Sequence, residues 1–68
     1  MLSIAEQAAK LIREARKRKG LTQKELGDML GIGESRVSKY ESGKQNPTIA
    51  TLQKIVDTLG VEIELSLK

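Results

Sequence analysis

The chain has 68 residues, enough for one domain at most, and it contains no Cys and no His. Disulfides and the common zinc ligands are therefore excluded, which leaves tight helix packing or dimerisation to stabilise so short a chain. Twelve Lys and Arg against nine Asp and Glu give a net charge of +3, and no stretch is apolar for long enough to span a bilayer as a helix.

Charge is unevenly placed. Residues 10–44 hold ten basic and five acidic side chains, and the remaining positions hold two basic and four acidic. A basic segment on an otherwise acidic body fits a face for a polyanion, and it equally fits a solvated helix surface. The N-terminus reaches Ser3 and Glu6 too soon for a secretory signal, so a cytoplasmic location is expected.

Ser3 and Glu6 have the spacing of a capping box, which opens a first helix. Ile4, Ala8, Leu11, Ile12 and Ala15 then recur on one helical face until Gly20 stops it. Thr22 and Glu25 repeat the box, opening a shorter helix with Leu26, Met29 and Leu30 expected inward and Gly31 as its left-handed stop. After the short Ile32-Gly33 link, a third helix is predicted over residues 34–41, with Val37 and Tyr40 on its inner face.

Ser42-Gly43 ends that helix, and residues 44–47 read as a polar loop. Thr48 caps a fourth helix whose apolar stripe is Ile49, Leu52, Ile55, Val56 and Leu59, stopped by Gly60. The period then changes to two. Val61, Ile63, Leu65 and Leu67 alternate with Glu62, Glu64, Ser66 and Lys68, the pattern of a strand with one apolar face.

The expected architecture is thus mainly α, a compact four-helix domain over residues 1–60 followed by a short C-terminal β-strand over 61–68. The Gly31-x-Gly33 pair is not a dinucleotide loop, because position 36 is Arg and no strand precedes it. No catalytic residue, metal site or cofactor is expected: no nucleophile–base pair and no carboxylate cluster is visible.

Residues 22–44 form the informative unit: a capped short helix, a glycine turn and a second short helix. This is the helix-turn-helix plan, in which the second helix enters the DNA major groove and the first lies across the backbone. The runs 20–26 (GLTQKEL) and 30–44 (LGIGESRVSKYESGK), followed by Pro47-Thr48 and Leu52, strongly resemble the phage repressor/Cro-like (XRE-type) helix-turn-helix family. The resemblance covers residues 8–60 and implies a lambda repressor-like bundle with residues 34–41 as reader.

Carried over by position, the resemblance implies that Glu34, Ser35, Ser38 and Lys39 read bases. Lys39 suits guanine O6/N7, Glu34 suits cytosine N4, and Ser35 serves several bases. Glu34 would repel phosphates unless paired, for which Arg36 and Lys39 are the candidates; a helix-N-terminal acid favoured by the dipole is the alternative reading. Gln23, Arg36, Lys44 and Asn46 fall at phosphate-contacting positions.

Gly33 departs from the Ser or Thr of many relatives, removing a hydroxyl at a cost of only a few tenths of a kcal/mol. The resemblance also implies a buried ion pair between Arg16 and Glu41 that positions the reader. Tyr40, the only aromatic side chain, is expected in the core rather than stacked on a base.

The ending resembles antitoxin-type members of the family, whose terminal strand pairs across a dimer. A lone strand needs a partner, so Val61, Ile63, Leu65 and Leu67 are expected to form an antiparallel ribbon in a homodimer. Centring it on Leu65 opposes Glu62 with Lys68 of the mate, whereas centring on Ile63 would oppose Glu62 and Glu64. The expected partners are double-stranded DNA with a near-palindromic operator and a second copy of the chain. The alternative is an antitoxin that also binds a toxin and regulates its own operon.

Overall fold

The computed structural model describes residues 3–61. They form four helices: α1 (Ile4–Arg18), α2 (Gln23–Leu30), α3 (Glu34–Glu41) and α4 (Ile49–Leu59). Of the expected terminal strand only Val61 falls among the described residues; Ile63, Leu65 and Leu67 lie outside them.

The helix starts follow from side-chain caps. Ser3 Oγ accepts from the Glu6 N–H at 3.1 Å, while Glu6 Oε1 accepts from the Ser3 N–H. Thr22 and Glu25 reciprocate in the same way at 3.0 and 2.9 Å, and Thr48 Oγ1 accepts from the Thr51 N–H. Each such cap satisfies N–H groups that the helix itself leaves open, a contribution of about 1 kcal/mol apiece.

Every helix sends one side chain to the centre of the core. Ile12 of α1, Leu26 of α2, Val37 of α3 and Ile55 of α4 are all fully buried. Each contributes about 1.5–3 kcal/mol by leaving water. Leu30, Tyr40, Leu59 and Ala15 close the core around them, and Ala8 and Ala9 of α1 are also buried. Val61 is half-buried against this same core, and its N–H donates to the Val56 carbonyl. Lys54 reaches from α4 to the end of α2, where its Nζ donates to the Leu30 carbonyl at 3.0 Å.

Three apolar side chains expected inward are on the surface. Ile4 and Ile49 are the first residues of α1 and α4, beyond the reach of the core, and are 43% and 80% exposed. Met29 is 53% exposed. At 100° per residue it sits about 110° from the line joining Leu26, Leu30 and Gly27 to the interior. The third inward position of α2, on the other side of that line, belongs to Gly27, which an apolar pattern does not register.

Candidate nucleic-acid interface

The turn between α2 and α3 is built from glycine geometry. The Gly27 carbonyl accepts from the N–H groups of both Ile32 (3.0 Å) and Gly33 (3.2 Å), while Gly31 at φ 71° closes α2. Gly33, the N-cap of α3, has φ 86° and ψ 159°, and no side chain caps the helix there. The expectation that Gly33 merely lacks a useful hydroxyl is therefore corrected. This backbone conformation is one that L side chains rarely adopt, so glycine is what the turn requires. Gly27, missed in the sequence, is needed for closeness: its bare Cα faces the Gly33–Glu34 backbone, with no room for a Cβ. The signal was available, since glycine inside a helix costs about 1 kcal/mol against alanine and calls for a packing reason.

At the ends of α2 and α3 remote from this turn, a polar network ties three helices together. Arg16 of α1 donates to Glu41 of α3 through Nε at 2.7 Å and Nη2 at 3.0 Å, while its Nη1 donates to the Leu21 carbonyl at 2.7 Å. The two side chains are only 10% and 4% exposed. The hydrogen bond to Glu41, aided by the attraction of its charge, raises the Arg16 pKa above its ordinary value against the opposing effect of burial. Glu41 Oε1 also accepts from Gln23 Nε2 at 3.2 Å. The side chain at the start of α2 is thereby oriented by the end of α3.

The outer face of α3 is polar and open. Glu34, Ser35, Ser38 and Lys39 line one surface groove together with Gln23 and Lys44. Gly43 turns the chain after α3, so that the N–H groups of Lys44 and Gln45 both donate to the Lys39 carbonyl. That turn brings Lys44 to the groove. Arg36 is exposed but does not line the groove; it lies about 160° around the helix from Ser38 and about 60° beyond Lys39. Asn46 is exposed and does not line the groove.

Glu34 forms no ion pair with Arg36 or Lys39 among the described residues. Its charge acts instead on Lys24, whose pKa is raised mainly by a hydrogen bond to Asp28 and less by Glu34 and Glu25. Two further side chains reach the site without having been expected there. Ser42 lines the groove beside Lys44, and Arg13 of α1 lines an adjoining cleft with Gln23, Ser38 and Glu41. Arg13 precedes Arg16 by three residues, so helical spacing alone places the two on neighbouring parts of one face.

No helix among the described residues is long and apolar enough to cross a membrane, and no group of acidic side chains there could hold a metal ion.

Comparison with known proteins is consistent with this architecture. The chain is 39% identical over 57 residues to the SPbeta prophage-derived HTH-type transcriptional regulator YonR of Bacillus subtilis, covering 84% of this chain and 53% of that one. It is 38% identical over 52 residues to an HTH-type transcriptional regulator of Methanothermobacter thermautotrophicus, covering 76% and 75% of the two chains. It is 35% identical over 52 residues to the cryptic phage CTXphi transcriptional repressor RstR of Vibrio cholerae, covering 76% and 47%. The chain thus spans about half the length of YonR and of RstR.

Among solved structures, an HTH_3 family transcriptional regulator from Vibrio cholerae matches with a TM-score of 0.79 at 30% identity, over 87% of this chain and 33% of that one. Residues 12–65 match the family described as HTH_3, Helix-turn-helix. By that match and by its α2–turn–α3 geometry, the chain belongs to the helix-turn-helix (HTH_3) family.

Proposed function

We propose that this chain binds double-stranded DNA with sequence specificity, acting as a homodimeric transcriptional repressor with α3 in the major groove. The observation that carries the reading is the single open groove in which the outer side chains of α3 meet Gln23 from the start of α2. A reader helix needs a polar, solvent-facing surface whose donors and acceptors match base edges, with phosphate contacts beside it to set its register.

In this reading Lys39, Ser35, Ser38 and Glu34 contact bases. Gln23 and Lys44 hold phosphates on the groove side, while Arg36 and Asn46 reach the backbone outside it. Arg16 and Glu41 touch no DNA; they fix the tilt of α3 against α1. The repressor role is supported by the names of relatives, among them a phage transcriptional repressor and a prophage-derived regulator.

The homodimer rests on the alternating residues 61–68, whose pattern calls for a partner strand. Two reader helices related by a two-fold axis would contact half-sites about 34 Å apart. The antitoxin alternative rests on the same terminal residues, nearly all outside those described, and no other observation favours it.

Binding measured as a function of salt tests the activity. A protein that neutralises phosphates gives a steep linear fall of log K with log salt. A flat dependence would contradict the reading.

A further inference from the structure

From the cleft beside the reader groove we infer that Arg13 of α1 is a further phosphate-contacting residue, one that extends the DNA footprint from α2 and α3 onto α1. The inference rests on the DNA-binding reading above and adds a residue that the resemblance did not assign.

Three observations meet at Arg13. Its side chain is exposed, and its guanidinium has no hydrogen bond or ion pair among the described residues. It lines a cleft with Arg16, Gln23, Ser38, Glu41 and Ser42, and three of these, Gln23, Ser38 and Ser42, also line the reader groove. The two depressions are therefore continuous around Gln23. Finally, the other charges in the cleft cancel, because Glu41 is engaged by Arg16 through two hydrogen bonds. What is left facing solvent is one net positive charge, and it is carried by Arg13.

A guanidinium there has the reach and the donors to grip a phosphate in two-pronged fashion next to the Gln23 amide. The backbone of a duplex seated over α3 has to pass this edge of the domain, since the helix preceding a reader helix crosses the backbone. Arg13 then contributes affinity without sequence information.

The test compares wild type, Arg13→Ala, Arg13→Lys and Arg18→Ala on one selected operator and on an unrelated duplex across a salt series. Arg18 is exposed on the same helix about 140° away from Arg13, so its removal controls for net charge. The expected result for Arg13→Ala is a log–log salt slope shallower by about 0.9, and binding about five- to tenfold weaker at 0.1 M salt, from the loss of one phosphate contact. The ratio of specific to non-specific affinity stays as in wild type, Arg13→Lys recovers most of the slope, and Arg18→Ala keeps it. Unchanged thermal melting of Arg13→Ala confirms that the fold is intact. An unchanged slope in Arg13→Ala, or an equal loss in Arg18→Ala, overturns the role of Arg13 while leaving the DNA-binding reading in place. Wild type lacking salt-dependent binding overturns both.

Discussion

A Cβ added to Gly27 would collide with the carbonyl carbon of Gly33 and lie 2.7 Å from the nitrogen of Glu34, so α2 touches the start of α3 backbone to backbone. The atoms it would strike belong to the backbone that joins α2 to α3 and cannot swing aside as a side chain could. Gly27→Ala is therefore expected to destabilise the fold, although alanine is the better helix former by about 1 kcal/mol. Overpacking of this kind costs about 1–3 kcal/mol, which in so small a domain lowers the melting temperature by roughly 4–8 °C per kcal/mol. Thermal melting checks it; a Gly27→Ala chain that melts at or above wild type would show that the two helices have room to spare.

The Arg16–Glu41 pair gives a second prediction, because removing one buried partner differs from removing both. Arg16→Met leaves the Glu41 carboxylate buried with only Gln23 beside it, a loss of about 3–5 kcal/mol. The double variant Arg16→Met/Glu41→Leu removes both charges and is expected to regain most of that stability. Urea unfolding of the three proteins measures the difference. The pH dependence has a definite sign. Because the folded state raises the Arg16 pKa, the stabilisation is complete below the unfolded value and is lost only as pH climbs past it. From about pH 6 to 10 the arginine side of the pair therefore contributes no change in stability.

Base reading and phosphate holding should separate by mutation. Lys39→Ala is expected to relax preference at one base position, worth about 1–3 kcal/mol of discrimination, while Gln23→Ala weakens all sequences alike. Binding to a panel of single-base operator variants distinguishes them. If both substitutions weaken every duplex equally, α3 does not read through Lys39.

Much of this fold is legible in the chain because its punctuation is strong. The reciprocal pairs Ser3/Glu6 and Thr22/Glu25 mark two helix starts, and the apolar periods locate Ile12, Leu26, Val37 and Ile55, the four side chains at the centre. What escaped was information that has no apolar signature. Gly27 lets α2 lie against the Gly33–Glu34 backbone by having no side chain at all, and Gly33 matters for a positive φ that residue identity alone does not announce. Met29 and Ile49 were drawn inward by hydrophobicity, although Met29 lies off the buried line of α2 and Ile49 is the first residue of α4.

At the site, helical spacing brings Glu34, Ser35, Ser38 and Lys39 to one face, but only the folded chain shows that Arg13 and Ser42 approach them. The bond from Gln23 to Glu41 was equally hidden, since eighteen residues separate the two in sequence.

The terminal residues offer a prediction about assembly. Val61 packs on the core of its own chain, so the informative truncation ends after Val61 and keeps that contact. The full chain is expected to elute as a dimer in gel filtration and the truncated chain as a monomer. A truncated chain that remains dimeric would place the interface elsewhere.

The central claim, that α3 reads a DNA sequence, is tested most directly by binding-site selection from a random duplex library followed by sequencing, with wild type and Lys39→Ala in parallel. The account predicts a near-palindromic site for wild type, with half-site centres one helical turn or about 34 Å apart. It predicts the same site with one symmetric pair of positions relaxed for Lys39→Ala. Recovery of no preferred sequence by wild type, or of an identical site by both proteins, would contradict it.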